Sequence, residues 1–381
     1  MFRWRTPWRA VAAMFILNGA LFGIWASRIP AVVQTHDLSP SALGGLLLLM
    51  AAGAIISFPI AGKASDAKGC AAVTLPVAIL YCAALVLIAL SPSVLTLGIS
   101  LFLFGAFHGS MDVSMNAWAG EVEKAAKKPM MSSFHAMFSL GAGLGAASGF
   151  GAAGAGLSVT THFFLAGSII AALTLPFGWI GWVSQKVPRT GSEPIFSFPR
   201  GPLLAVGFFA FCSSLGEGGM ADWSALFLIS ASAAGEAEAA LGYAVFSVAM
   251  VVMRLLGDRL VQKVGPVNAA RFAGLAAASG SAVAVIFATF PIMLIGFALM
   301  GIGYALVVPL AFSRAANDPD VAPGQAIASV STLGYGGILL GPPLIGLVAD
   351  LASIRTAFAI LTVMALMIFV MAKVVRRPGN N

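Results

Sequence analysis

The sequence predicts an all-α membrane protein in which twelve transmembrane helices form two bundles of six helices each. Three observations support this fold class. Twelve apolar stretches follow one another along the chain, and a helix needs about 20 such residues to cross the hydrocarbon core of a bilayer. Hydrophobic residues make up 59% of the chain and charged residues only 9%, whereas soluble domains carry about 25% charged residues. The two halves of the chain also resemble each other.

We expect each apolar stretch to form one membrane span. The predicted spans are 10–33, 41–62, 72–91, 95–119, 130–153, 160–183, 203–230, 239–261, 268–289, 292–314, 324–348 and 353–373. The spans divide the chain into an N-terminal bundle (1–183), a short basic cytoplasmic linker (184–201) and a C-terminal bundle (202–381).

The distribution of basic residues predicts the topology. Of the 21 Lys and Arg residues, we place 19 on one side of the membrane, and only Arg28 and Arg355 fall towards the other. Positive residues remain cytoplasmic, so both termini are predicted to be cytoplasmic, in a bacterial inner membrane. A nucleic-acid partner is not expected, because these charges do not cluster on one folded face. The first stretch is too long for the apolar region of a signal peptide, so we interpret it as a span.

The halves match at a slowly changing offset. Trp25 corresponds to Trp223, the segment 42–44 to 240–242, and Gly105 to Gly301. A parallel repeat of this kind predicts a binding site near the midplane between the halves. The fifth and eleventh spans are rich in glycine, which is typical of tight helix packing and also of helices that move during gating.

Three polar residues of the fourth span are predicted to lie on one helical stripe. His108, Asp112 and Asn116 are spaced by four residues, which places them on the same face of a helix. Acids at membrane depth are mostly functional, and a carboxyl group in a cavity that opens alternately to each side can carry a proton. We therefore predict that Asp112 and His108 couple transport to protons. The alternative is an acid held in place by Ser110 and Ser114.

Charged residues elsewhere in the spans suggest gates. Arg28 and Asp222 fall in the outer halves of the first and seventh spans, so we expect them to pair at the outer mouth, with Glu217 as the competing partner. Arg28 could instead extend to the lipid headgroups. Arg254 is predicted to belong with Asp258 at the inner mouth.

Two connecting segments share a pattern. Gly62, Asp66 and Gly69 follow the second span, and a related segment with Gly257, Asp258, Arg259 and Gly265 follows the eighth. In this feature the chain resembles the major facilitator superfamily, whose motif between the second and third spans is Gly-x-x-x-Asp-x-x-Gly. The resemblance implies that Asp66 helps to hold the two halves together on the cytoplasmic side.

The span-four stripe points to a branch of that family. The segment 111–117 resembles the corresponding motif of fucose permease-like transporters, in which an acid precedes an Asn by four residues and is linked to proton coupling. The segments 25–30, 130–135, 139–141 and 217–224 are more similar to YbjJ-like inner-membrane proteins of the same branch. The chain departs from fucose permease in the first span, which has no acid and offers Arg28 instead.

The resemblance also implies which residues line the substrate cavity, because the first, seventh, tenth and eleventh spans surround it in this family. We expect aromatic rings beside a few polar groups, which suits a sugar-like ligand. Core packing is the alternative for the aromatic residues, and a structural role is the alternative for His135. The predicted cavity residues are Asn18, Trp25, Asn116, His135, Glu217, Trp223, Tyr304 and Tyr335.

The sequence contains no ATP-binding loop, no Cys/His spacing typical of metal sites and no nucleophile–base pair. We therefore expect neither an enzyme nor a cofactor or metal. The predicted function is secondary active transport of a small polar, sugar-like solute by alternating access, coupled to protons. The expected partners are the solute, protons and membrane lipid, and we expect a monomer. The alternatives are a proton-driven exporter of amphipathic compounds and a non-transporting membrane sensor on the same fold.

Overall fold

The computed structural model describes residues 6–127, 130–184, 198–321 and 323–376, and these ranges fold into α-helices joined by short turns. A short 3-10 helix, Met371–Val375, follows the last α-helix. The α-helices, in chain order, are α1 (Pro7–Ser27), α2 (Ile29–His36), α3 (Pro40–Lys68), α4 (Cys70–Ala89), α5 (Val94–Ala126), α6 (Met131–Gly154), α7 (Val159–Gly178), α8 (Pro202–Ser232), α9 (Glu236–Val264), α10 (Pro266–Phe287), α11 (Phe290–Tyr304), α12 (Val307–Ala316), α13 (Pro323–Leu351) and α14 (Ile354–Val370).

Twelve segments of the described chain are long and apolar enough to cross a membrane. Each corresponds to one predicted span, so the prediction of twelve transmembrane helices is confirmed. The sixth span is shorter than predicted, because α7 ends at Gly178 two residues after Pro176, and residues 179–184 are not helical.

Two predicted spans are interrupted. The first breaks at Arg28, which separates α1 from α2 and has φ −115° and ψ 10°. Pro30 causes the break, because its ring nitrogen cannot donate the hydrogen bond that would continue the helix. The tenth span breaks at residues 305–306, between α11 and α12.

The glycine-containing segments predicted as loops are mostly helical. The helix α3 continues through Asp66 to Lys68, and α9 continues to Val264. Each then turns at a single glycine with a positive φ, 94° at Gly69 and 80° at Gly265. Glycine adopts this backbone conformation without steric cost. The two turn glycines lie 196 positions apart, which extends the sequence repeat to the turn itself.

Two compact units make up the chain. The first unit contains residues 1–38, 46–192 and 236–244, and the second contains 39–45, 193–235 and 245–381. The first turns of α3 therefore belong to the second unit and the rest of α3 to the first. Conversely, the first turns of α9 belong to the first unit and the rest of α9 to the second. Most of the predicted linker, residues 185–197, lies outside the described residues.

Glycines bring α1 and α6 into close contact in the first unit. A Cβ atom on Gly19 or Gly23 would overlap the carbonyl oxygen of Phe138 or Ala142 on α6, and one on Gly141 would overlap that of Ile16 on α1. Small residues allow helix backbones to approach in this way in membranes. For these glycines the structure shows tight packing, while a moving gate remains a hypothesis.

The predicted correspondence of Gly105 and Gly301 has a structural counterpart. A Cβ atom on Gly105 would overlap the carbonyl oxygen of Met50 in the first unit, and one on Gly301 would overlap that of Phe246 in the second. Met50 and Phe246 are also 196 positions apart, so the same contact between helix backbones occurs in both units.

We predict that adding one methyl group at the α1–α6 contact destabilises the protein. Gly141→Ala would force the two backbones apart, and overpacking of this kind costs about 1–3 kcal/mol. Thermal unfolding in detergent should show a midpoint several degrees below that of the unmodified protein.

Gly151→Ala provides the matched control, because it lies on the same helix and a Cβ atom there meets nothing within 4 Å. Its unfolding midpoint should be unchanged or higher, since alanine favours helix over glycine. Equal midpoints for the two variants would contradict the packing account.

Candidate transport site

The predicted polar stripe of α5 is part of a hydrogen-bonded cluster in the first unit. Asn116 donates from Nδ2 to the backbone oxygen of Asp112 at 2.8 Å and to Asp112 Oδ1 at 2.9 Å. The amide therefore fixes one carboxylate oxygen, as the spacing of four residues allows. The side chains of both residues are partly exposed rather than fully buried.

His108 has a neighbour that the sequence did not indicate. Its Nδ1 lies 2.9 Å from the hydroxyl oxygen of Tyr81 on α4, and Tyr81 is fully buried. The ring of Phe22 on α1 lies 5.4 Å from the imidazole ring, and that of Phe138 on α6 lies 6.3 Å from it. His108 is thus held by one hydrogen bond within an aromatic environment.

Two predicted cavity residues of α1 are buried in the first unit. Asn18 is fully buried and donates from Nδ2 to Met115 Sδ at 3.5 Å, and its Oδ1 has no hydrogen-bond partner within the described ranges. Trp25 is also fully buried, and its Nε1 is likewise unpartnered among the described residues. Buried polar atoms without partners are rare in proteins.

His135 lies near the beginning of α6. Its ring makes an edge contact with Phe15 of α1 at 5.4 Å between ring centroids, and its backbone oxygen accepts a hydrogen bond from Ser139 at 3.3 Å. The structure places its ring against α1. Its predicted contribution to the substrate cavity remains a prediction.

In the second unit, Glu217 lies between a hydroxyl group and a guanidinium group. Its Oε1 accepts from Ser213 Oγ at 3.0 Å, and its Oε2 lies 3.5 Å from Nη2 of Arg254 on α9. The two charged side chains remain 24% and 16% exposed, respectively. A charge pair at membrane depth is costly unless it serves a pathway or a structural purpose.

Tyr304 lies beside this pair. Its ring and hydroxyl occupy the space that a side chain on Gly216 would fill, so it packs directly against the residue preceding Glu217. Tyr304 is fully buried, and its hydroxyl has no hydrogen-bond partner within the ranges described. Tyr335 on α13, by contrast, is 37% exposed.

Asp222 and Trp223 are buried on α8. Asp222 is 4% exposed and Trp223 is fully buried. Asp222 Oδ1 and Trp223 Nε1 both lack hydrogen-bond partners in the part of the chain that the structure describes. The sequence match of Trp25 to Trp223 therefore joins two buried indoles whose N–H groups are unpartnered.

Arg28 has partners within the first unit. Its Nε lies 2.8 Å from Glu236 Oε1, in an ionic contact without hydrogen-bond alignment, and Nη2 donates to the backbone oxygen of Leu157 at 3.0 Å. The first turns of α9 belong to the first unit and bring Glu236 to Arg28. Asp222 belongs to the second unit, so its predicted pairing with Arg28 stays a prediction. Arg28 is buried, so it does not extend to headgroups.

The other predicted gating residues have different outcomes. Arg254 contacts Glu217, and its predicted place at the inner mouth stays a prediction. The Asp258 side chain lies outside the described residues, so its pairing with Arg254 stays a prediction. Asp66 is half-buried near the end of α3, and its role as a latch also stays a prediction.

Three site neighbours were missed by sequence reasoning. Tyr81 and Ser213 bind His108 and Glu217, and Glu236 binds Arg28. Ser213 precedes Glu217 by four residues, so the spacing that revealed the α5 stripe could have identified it. Tyr81 and Glu236 contact residues far away in sequence, for which no local signal exists.

Comparisons with known proteins agree with this architecture. The family model of the Major Facilitator Superfamily matches residues 10–322 and, in a second match, residues 206–381. An uncharacterized transporter, y4wD of Sinorhizobium fredii, is 46% identical, covering 99% of this chain and all of the relative.

Solved structures share the fold at low sequence identity. A nucleoside transporter, NupG, superimposes with a TM-score of 0.75 at 11% identity, covering 97% of this chain and 100% of that chain. The Escherichia coli fucose:proton symporter, FucP, superimposes with a TM-score of 0.64 at 15% identity, covering 97% and 98%.

The twelve apolar helices and the matches to named transporters define a multi-pass membrane transporter, a class of protein that is not an enzyme. The chain belongs to the major facilitator superfamily.

We predict that Arg28 and Glu236 stabilise the first unit cooperatively. Removing either charge leaves the other without its ionic partner, so Arg28→Gln and Glu236→Gln should each lower thermal stability. The double variant should be more stable than the sum of the two losses indicates, with a coupling energy of about 1 kcal/mol or more.

Glu238→Gln serves as the control, because it removes an exposed acid from the same first turn of α9. Its combination with Arg28→Gln should be additive. Additive losses for Arg28 and Glu236 themselves would show that the ionic contact contributes nothing.

Proposed function

We propose that this protein moves a small polar, sugar-like solute by alternating access and couples that movement to protons. The observation that carries the proposal is the cluster on α5, where a carboxyl group, an amide and an imidazole lie on one transmembrane helix. Ionisable groups inside membrane spans are costly and are typical of proton pathways.

Asp112 is the group we assign to the transported proton. Asn116 holds Oδ1 through a donor that remains available whether the carboxyl group is charged or neutral. The group can therefore bind and release a proton without losing its orientation. The partial exposure of Asp112 is consistent with contact with a water-filled cavity.

His108 acts as the accompanying group in this proposal. An imidazole that is hydrogen-bonded to a phenol can change its protonation while one nitrogen remains held. Its aromatic neighbours restrict the water around it, so its charge state depends on the local environment rather than on bulk solvent. Asp112 and His108 together form the proposed coupling site.

The solute is proposed to be polar because both units place charged or amide groups at membrane depth. Asn116 and Asn18 lie in the first unit, and Glu217 and Arg254 in the second. An amphipathic compound offers fewer hydrogen bonds to these groups than a hydroxylated solute does, which disfavours the exporter alternative. The names of FucP and NupG, a sugar:proton symporter and a nucleoside transporter, support a polar, hydroxylated solute.

We further propose membership of the fucose permease-like branch, with YbjJ-like proteins as the nearest group. The support is the α5 stripe and the segments of both halves that resemble those proteins. Fucose permease has a second coupling acid in the first span, and this chain has no acid there. We therefore propose that a second proton-binding group of this chain lies outside the first span. The proposed gating residues are Arg28, Asp222, Asp66, Arg254 and Asp258.

Replacing Asp112 by Asn should abolish proton-driven accumulation. The amide keeps the shape of the side chain and cannot carry a proton, so exchange of labelled solute across liposome membranes should survive while concentrative uptake is lost. Ser114→Ala provides a control on the same helix. Undiminished accumulation by Asp112→Asn would rule out the role of Asp112.

The proposed localisation is a bacterial inner membrane, in a monomeric state, with both termini and the 184–201 segment in the cytoplasm. The asymmetric distribution of basic residues supports this topology. In a variant whose three native cysteines are replaced by Ser, Thr190→Cys should react with a thiol reagent only after the membrane is permeabilised. Strong labelling of intact cells by an impermeant reagent would reverse the assigned topology.

A further inference from the structure

We propose that the Glu217–Arg254 pair binds a small hydroxylated monocarboxylate, and that Glu217 takes up one proton as the anion replaces it on Arg254. This inference rests on the proposed function and names the solute class. It also assigns Glu217 as a second proton-binding group beside Asp112, because the first span of this chain contains no acid.

The geometry shows a pair that can exchange partners. Glu217 Oε2 and Arg254 Nη2 are 3.5 Å apart, whereas the Arg28–Glu236 and Arg314–Asp318 contacts measure 2.8 Å and 3.0 Å. The guanidinium and the carboxylate are also partly exposed. A longer ion pair is easier to separate than a short one.

The groups around Glu217 can hold it after Arg254 has left. Ser213 Oγ lies 3.0 Å from Oε1, and a hydroxyl can donate to a carboxylate or accept from a protonated carboxyl group. Glu217 therefore keeps a hydrogen bond in both protonation states. Because of the Ser213 hydroxyl, Glu217 can become neutral without losing its hydrogen bond. An acid that serves only to balance a positive charge needs no such partner.

Charge balance decides the class of ligand. With Glu217 charged, the pair is neutral, and adding an anion alone would leave a net negative charge in a poorly solvated site, which is costly. If Glu217 binds one proton from solution, forming a new O–H bond, its attraction to Arg254 is lost and the anion takes its place. The net charge of the site is then the same before and after binding.

The donors also favour an anion with hydroxyl groups. Arg254 offers a planar set of N–H donors that matches a carboxylate, and the buried Tyr304 hydroxyl beside Gly216 lacks a partner among the described residues. A protonated Glu217 and Ser213 can both accept and donate to hydroxyl groups. A ligand with one carboxylate and adjacent hydroxyl groups satisfies this set.

Other titratable groups lie on α9 and on the helices packed against α8. Asp258, whose side chain lies outside the described residues, follows Arg254 by four positions. Tyr304 packs against Gly216, Tyr335 is the partly exposed phenol of α13, and Lys373 on the 3-10 helix is exposed. The charged groups on the helices that pack against α8 have the following contacts: Arg314 with Asp318, Asp350 with the backbone N–H of Ser41, and Arg355 with the backbone oxygens of Val285 and Ile286.

The test compares matched anionic and neutral probes on the purified full-length protein. The pairs are gluconate with sorbitol, galacturonate with galactose, and lactate with 1,2-propanediol. At least one anion should bind with a dissociation constant tenfold or more below that of its neutral counterpart. In weakly buffered solution its binding should take up about one proton, so that the affinity weakens about tenfold per pH unit once Glu217 is ionised.

Two variants separate the groups. Glu217→Gln should bind the anion with no pH dependence and no proton uptake, and Arg254→Gln should lose anion binding at least tenfold. Arg271→Gln is the control for loss of a guanidinium, because Arg271 is exposed and its Nη1 donates to Asn268 Oδ1. It should bind like the unmodified protein.

The outcomes distinguish this inference from the transport proposal. Tighter binding of neutral probes, or anion binding without proton uptake, would overturn the inference while leaving proton-coupled transport intact. Binding of no anion in the panel would overturn it as well. Pronounced proton-linked binding of an anion by a protein that never accumulates solute would support the inference and contradict the proposed transport.

Discussion

The hydrocarbon core offers no water to buried charges, so a membrane-spanning protein must neutralise them internally. Of the ion pairs in the described chain, Glu217 with Arg254 has both members within predicted spans and meets this constraint. The pairs Arg28 with Glu236 and Arg314 with Asp318 each include a residue beyond a span end, and all three pairs lie inside single compact units. Glycines provide the close helix contacts that hold the charged groups in place, because apolar side chains gain little from association within lipid. Small residues therefore form the close helix contacts, and these contacts position the few charged side chains.

The repeated scaffold does not carry repeated chemistry. Gly105 and Gly301 make the same contact in the two units, and Gly69 and Gly265 make the same turn. At offsets of 196 and 198, however, Asp112 corresponds to Val308, and Glu217 corresponds to Gly19. Each unit thus contributes a different polar cluster, which is consistent with a proton site in the first unit and a solute site in the second.

Sequence patterns predicted the features that depend on residues close together in the chain. Hydropathy predicted the twelve spans, and the spacing of four residues predicted the contact between Asp112 and Asn116. The contact of Arg28 with Glu236 could not be predicted from depth in the membrane. Glu236 lies in the first turn of α9, which belongs to the first unit, whereas most of α9 belongs to the second unit. The segment containing Asp66 was predicted as a loop since its apolar run ends at residue 62, but backbone hydrogen bonding continues the helix to Lys68. Of the eight predicted cavity residues, Asn18, Trp25, Trp223 and Tyr304 are buried, and solute contact is still a proposal for all eight.

The central claim is that solute and proton cross the membrane together. Liposomes containing the purified protein, with the membrane potential clamped to zero, provide the most direct measurement. Addition of a transported solute to the outside should make the external medium more alkaline, at a rate proportional to the entry of labelled solute. Entry of labelled solute with no change in external pH would contradict the account.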